Sequence, residues 1–248
     1  MLLQDKVAMI YSAGGAISGA VARAFADEGA RVYRTGRSPA EDTAVVDALD
    51  ERAVEAHLQS VVDEAGGVDV SFNAIGLADT EIVGTPLLEL DADRFAEPIA
   101  AYARSYFLTA RLAARHMVPR GAGVIMTVTA LPARTGTRLN GGYGAALAAK
   151  EALTRDLSAE LAPHGIRVVG LRPHGLPETA TMRELHAAKG DALGLTWEQF
   201  QGYLAASTHP RRVMTLAEVA SVAAFAASDR ASGMTGTTVN LTMGALDD

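Results

Sequence analysis

The chain has 248 residues, 49% of them hydrophobic, and a net charge of −7, which is room for one α/β domain with a sizeable core. It has no cysteine, and its six histidines (His57, His116, His164, His174, His186 and His209) show no paired ligand spacing, so disulfides, thiolate centres and a structural zinc are excluded. The acidic balance argues against nucleic acid as a partner. No apolar run approaches the ~20 residues of a membrane helix, and the N-terminus has no leader pattern, so the expectation is a soluble, cytoplasmic protein without a membrane partner.

In chain order, residues 6–11 (KVAMIY) form a short apolar run of buried-strand type. Residues 16–30 carry apolar and small side chains at helical spacing, ending near Gly29. RVYRT (31–35) reads as a second strand and AVVDAL (44–49) as a third, followed by a helix over 50–66. Residues 68–76 make a fourth strand that runs into a turn, and 91–118 a long helix with a kink site at Pro98. Strand 123–129, helix 142–165 and strand 166–173 follow. Residues 176–214, around Trp197, read as irregular with short helices, before a last helix at 216–229 and a last strand at 237–242.

Strands and helices alternate throughout, and the strands are continuous apolar runs. That pattern specifies a doubly wound parallel sheet in a single domain spanning 1–248. A (β/α)₈ barrel fits the length but not the long irregular stretch late in the chain. One crossover is unusual. Only about nine residues separate the second and third strands, where a parallel crossover takes about a dozen or more. A helix is therefore shortened or missing at that edge, either as a tolerated deletion or as a patch for a ligand or partner.

The segments LTRDLSAELAPHGIRVVGLRP (153–173), FAASDRASGMTGTTVNLTMG (225–244) and NAIG (73–76) resemble the short-chain dehydrogenase/reductase family, and their order and spacing match it from Lys6 to Gly244. The resemblance implies a seven-stranded Rossmann sheet with a nicotinamide dinucleotide at the C-terminal strand ends. It also implies a small-molecule substrate, a substrate lid over 176–214, and a homodimer or homotetramer built on the helices near 91–118 and 142–163.

The family's first turn reads T-G-x-x-x-G-x-G, whereas residues 11–18 here are YSAGGAIS, with Ser12, Ala16 and Ser18 at the glycine positions. Gly14 and Gly15 remain inside the loop, and the helix start still offers N–H groups to a phosphate. Ser12, Gly15, Ile17 and Ser18 are thus the expected contacts there. Ser18-x-Ala20 resembles the S-x-A ending of enoyl-acyl-carrier-protein reductases. The second strand ends without an acid to bond a ribose 2′-hydroxyl. Arg37 can instead meet a 2′-phosphate, which favours NADP over NAD, unless it is only a solvated surface arginine. Asp47 and Ala48 match the adenine edge, although Asp47 also suits a strand-end cap. Asn73, Ala74 and Gly76 match the turn after the fourth strand, and Thr179 lies near a nicotinamide-contacting threonine.

The family's acid–base is a tyrosine assisted by a lysine four residues on, with a serine on the substrate oxygen and an asparagine holding a water. Tyr143 keeps the tyrosine position, and the NGG before it reads as a mobile stretch able to approach a ligand. A gapless count puts Ala130 at the serine, Leu147 at the lysine and Tyr102 at the asparagine. Thr129, next to Ala130, can serve if a bulge re-aims it. Lys150, six intervening residues after Tyr143, matches the spacing of divergent members; otherwise it is a surface lysine, paired with an acid such as Glu151 or Asp156. His174 is a second candidate proton donor. Met182, Trp197, Phe200 and Tyr203 can line an apolar pocket under the lid. The leading expectation is an NADP-dependent oxidoreductase moving hydride to or from a carbonyl or activated double bond, with Tyr143, Lys150 and Thr129 as the catalytic set. Its rivals are a non-catalytic ligand-binding relative and a non-redox isomerase or lyase.

Overall fold

Runs of Val, Ile, Met and Phe with no polar alternation build strands that are buried on both faces. In the computed structural model the strands are β1 (Val7–Tyr11), β2 (Arg31–Gly36), β3 (Thr43–Val45), β4 (Val70–Asn73), β5 (Gly123–Val128), β6 (Ile166–Pro173) and β7 (Thr237–Leu241); β1, β4, β5 and β6 are such buried runs, and β2, β3 and β7 are mostly half-buried. The structure describes residues 1–12, 14–77 and 83–247, and only the backbone of 190–193. The strands form one parallel sheet in the order β3-β2-β1-β4-β5-β6-β7.

Helices α1 (Ala16–Asp27) and α7 (Leu216–Ala227) cover one face, where Val21, Phe25, Val219 and Ala223 pack on Ile10, Phe72 and Met126. Helices α2 (Glu51–Ala65), α3 (Ala92–Met117) and α4 (Tyr143–Leu161) cover the other, where Val54, Leu58, Tyr106 and Leu157 pack on Met9, Tyr11 and Ile125. This is the doubly wound Rossmann arrangement. The order reverses about β1, whose neighbours are β2 and β4, and that switch point opens a crevice at the C-terminal strand ends. Helices α5 (Ala180–Leu193) and α6 (Trp197–Ala206) lie in the stretch expected to be irregular. No helix among the described residues is long and apolar enough to cross a membrane.

One sequence expectation needs correction. The third strand is Thr43–Val45 rather than 44–49. Beyond it, the Asp47 carboxylate accepts the Leu49 N–H at 2.9 Å, and Asp50 caps α2 through the N–H groups of Arg52 and Ala53. Short acidic side chains thus draw the backbone out of the ladder. The β2–β3 connection, residues 37–42, carries no helix and only one antiparallel bridge, between Ala40 and Thr43. Val45 on this short edge strand is left 60% exposed. The long helix runs from Ala92 to Met117, with Pro98 inside it, as its expected span has it.

Candidate active site

Two adjoining cavities form one groove across the switch point. The first, about 250 Å³, is bordered by Gly36, Arg37, Ser38, Asp47 and Ala48. The second, about 460 Å³, is bordered by Ile17, Ser18, Ala74, Tyr102, Thr129, Tyr143 and Thr179. Ser12, Gly14, Gly15, Ile75, Gly76 and Leu77 border both. Of the catalytic set and the cofactor contacts expected from the sequence, only Asn73 and Lys150 do not border the groove.

The first turn holds together differently from a glycine turn. Ser12 adopts φ 77°, a left-handed conformation in which glycine carries no penalty. The buried Ser18 hydroxyl lies between two acceptors, the Ser12 carbonyl and, at 2.9 Å, the Gly15 carbonyl, which share its one proton. This side-chain contact therefore fixes a turn that glycines would otherwise permit. Gly15 is the N-cap of α1, and the first helical turn carries no acidic residue. Its unpaired N–H groups and the positive end of the helix dipole suit a phosphate group. At the other end, Arg37 stands just past β2 with Ser38 beside it, and Asp47 is both a groove residue and a backbone cap. This donor set fits a dinucleotide.

Asn73 lies beneath the groove. Its amide donates to Thr109 Oγ1 at 3.1 Å, and its Oδ1 accepts the Ile75 N–H at 3.3 Å. It ties β4 to α3 while Ala74 and Gly76 face the groove.

The start of α4 is set by close packing. A Cβ on Gly142 would collide with the Phe95 carbonyl and lie 2.9 Å from Pro98 Cγ, so the glycine before Tyr143 lets α4 approach α3. Tyr143 opens the helix, and Leu147 and Lys150 follow at i+4 and i+7, on one stripe. Tyr143 and Leu147 border the cleft, as does Ala130. Lys150, about 10 Å along the axis from Tyr143 at 1.5 Å per residue, sits beneath it. It is fully buried, not a surface lysine. Its Nζ donates to Asn73 Oδ1 at 3.4 Å and lies 5.6 Å and 5.8 Å from the ring centres of Tyr102 and Tyr106. Burial pushes its ammonium down to about 7. Glu151, one of the acids considered as its partner, belongs to Arg172 instead. Both side chains are buried, and Arg172 Nε and Nη2 donate to the carboxylate at 2.7 and 2.9 Å.

That carboxylate also accepts a hydrogen bond from the Thr129 hydroxyl, at 3.0 Å. Thr129 therefore borders the cleft with its O–H directed to Glu151. Tyr102 places its phenol oxygen at the junction of the two cavities, where it accepts the Leu77 N–H at 3.1 Å, and its ring meets that of Tyr143 edge-on at 6.1 Å.

Thr179 hydrogen-bonds Leu176 C=O and accepts the Met182 N–H, fixing the entry to α5. Of the lid side chains expected to line a pocket, Met182 does so. Trp197 and Phe200 instead stack on His186, with Arg183 over the indole, and Tyr203 is 65% exposed. His174 is turned to Ser207 Oγ at 3.1 Å and does not border the cleft, and burial lowers its pKa. Glu184 of α5 borders the cleft and was not singled out by sequence; nothing in its local pattern separates it from a solvated lid residue.

A family model described as enoyl-(acyl carrier protein) reductase matches residues 13–245. The uncharacterized oxidoreductase YxbG of Bacillus subtilis (strain 168) is 31% identical, over 94% of this chain and 88% of its own length. The 3-oxoacyl-(acyl-carrier-protein) reductase FabG of Vibrio cholerae is 26% identical over 98% of both. Among solved structures, a sorbitol-6-phosphate 2-dehydrogenase from Erwinia amylovora superposes with a TM-score of 0.88 at 25% identity, covering 97% of this chain and all of that one. An NAD⁺-bound xylitol dehydrogenase does so at 0.86 and 24%, covering 96% and 98%, which bears on the fold alone. With its seven-stranded sheet, its groove at the switch point and these matches over nearly its whole length, the chain belongs to the short-chain dehydrogenase/reductase family of oxidoreductases.

Proposed function

We propose that the chain is a cytoplasmic, NADP-dependent oxidoreductase acting on the carbonyl, or an activated double bond, of a small molecule, with a rearranged acid–base set. The observation that carries this reading is one continuous groove with Arg37 at one end and Tyr143 at the other. Arg37 and Ser38 would hold the 2′-phosphate, and the N-terminus of α1 the pyrophosphate. When bound, the nicotinamide gives or takes the hydride. Tyr143 would hold the proton at the substrate oxygen, and Ala130, Leu147 and Met182 would make the surrounding wall apolar and keep water away. The Vibrio cholerae relative, by name a reductase of a 3-oxoacyl group, makes a ketone the first substrate class to test.

Thermal-shift titration with NADPH and NADH tests the cofactor assignment. A ligand present at ~100 Kd stabilises the folded state by about 2.7 kcal/mol. A shift with NADPH but not NADH, followed by NADPH oxidation with a panel of β-keto esters, is the expected outcome. No shift with either cofactor would refute the reading. A second reading, ligand binding without redox turnover, is favoured by Ala130 and Leu147, which put carbon where the family's catalytic serine and lysine stand in the cleft wall. It predicts the NADPH shift with no turnover. The assembly we propose is a homodimer or homotetramer through α3 and α4; α3 exposes Phe95 and Phe107, and light scattering of the purified chain would show a monomer if this is wrong.

A further inference from the structure

We propose that Tyr102 is the polar contact for the nicotinamide-side ribose of the cofactor, and that Lys150 is a positioning residue that acts through it. The inference rests on the groove being a dinucleotide site. Along such a ligand the order is adenosine, pyrophosphate, second ribose, nicotinamide. With Arg37 at the adenosine end and α1 at the pyrophosphate, the second ribose falls between the α1 N-terminus and Tyr143. Gly76 and Leu77 border both cavities there, and Tyr102 and Leu147 border the second together with Tyr143.

Leu147 occupies the α4 position facing this point and offers only carbon. Tyr102 approaches the same point from α3. Its oxygen accepts the Leu77 N–H at 3.1 Å, and it would lie 3.6 Å from a Cβ on Gly76. Any side chain at position 76 would press on this hydroxyl.

A second observation concerns what stands behind the ring. Lys150 is a fully buried amine whose hydrogen bond to Asn73 is long at 3.4 Å. The groups facing it are Tyr102 and Tyr106 from α3 and Asn73 from β4, with Thr154 one turn on in α4 bonded to the Lys150 carbonyl. None is a carboxylate, and its neighbour Glu151 is engaged by Arg172. A buried cation without a counter-charge is costly. Here it lies 5.6 Å from the Tyr102 ring centre, within cation–π range. It holds the ring in place, and its positive charge, together with the Leu77 N–H on the oxygen, strengthens the phenol O–H as a donor.

The test compares two ligands. NADPH contains the second ribose, and adenosine 2′,5′-bisphosphate fills only the Arg37 end. Dissociation constants are measured by calorimetry for wild type, Tyr102→Phe, Lys150→Met and the double variant. Tyr102→Phe is expected to weaken NADPH roughly 3- to 10-fold, the worth of one hydrogen bond, and to leave the bisphosphate unchanged. Lys150→Met is expected to weaken NADPH in the wild-type background and to have no further effect once Tyr102 is phenylalanine. Equal weakening of both ligands would mean general damage to the groove and overturns the proposal. Unchanged NADPH binding in Tyr102→Phe overturns it while leaving the dinucleotide site standing. If wild type binds neither ligand, the dinucleotide reading falls and the proposal falls with it.

Discussion

Replacing Lys150 by methionine removes a buried amine and keeps a flexible chain of similar length. Because burial lowers this ammonium from its ordinary 10.5 to about 7, the unfolded chain holds one proton more than the folded chain between those values. Stability therefore rises with pH across that window, and below about pH 7 the desolvation penalty is present in full. At 1.36 kcal/mol per pH unit the penalty is about 5 kcal/mol. The Asn73 hydrogen bond and the contacts with two tyrosine rings offset part of it, about 3 kcal/mol together. Asn73 Oδ1 keeps its Ile75 N–H partner in the variant, so no orphaned acceptor is created. Lys150→Met is thus expected to be more stable than wild type by about 2 kcal/mol at and below pH 7. The advantage shrinks as pH rises and reverses before pH 10. Urea unfolding curves near pH 6.5, 8 and 9.5 measure it. A difference between the two proteins that does not change with pH would refute the reasoning, because a lysine that titrates alike in both states contributes no slope.

Arg37→Ala is expected to weaken NADPH by about 10- to 100-fold, the worth of charge-assisted hydrogen bonds to a phosphate, and to leave NADH unchanged in fluorescence titrations; equal effects on both would remove Arg37 from the 2′-phosphate site. Gly142→Ala drives a methyl group against the Phe95 carbonyl, so the urea midpoint should fall by the equivalent of about 1–3 kcal/mol; an unchanged midpoint would mean that α3 and α4 do not need this close approach. Glu151→Gln leaves the Arg172 guanidinium buried without its carboxylate, for an expected loss of about 3–5 kcal/mol in urea unfolding at neutral pH; a loss below about 1 kcal/mol, the range of a surface pair, would show that this ion pair does not hold β6 to α4.

The sheet was legible because its signal is redundant. Each apolar strand run, each helix and each short connection points to the same parallel topology, and no single residue decides it. The third strand was misjudged because AVVDAL reads apolar throughout, while the backbone bonds of Asp47 and Asp50 that end the strand leave no mark on a hydrophobic pattern. Gly142 was read as freedom to move; its role is contact, which depends on the Phe95 carbonyl some fifty residues earlier in the chain. Thr129 fared similarly. Sequence places it at the cleft, but the direction of its hydroxyl is set by Glu151, which sequence paired with Lys150 rather than with Arg172.

Lys150 shows where spacing stops being informative. A motif compares residues by their separation along the chain, whereas a helix converts separation into both direction and depth. At i+7 Lys150 returns to within about 20° of Tyr143 in direction, but about 10 Å further down the axis. The first fact makes it resemble an active-site lysine; the second puts it under the floor, against Asn73 and two tyrosine rings. The stripe Tyr143, Leu147, Lys150, Thr154 already contained this answer, because its lower members are buried and its upper members border the cleft. Among the described side chains the ring of Tyr102 is the one that both lies near this charge and borders the cleft. The residue that a gapless comparison counts as a lost asparagine is therefore the one through which, as proposed above, the buried lysine acts on the groove.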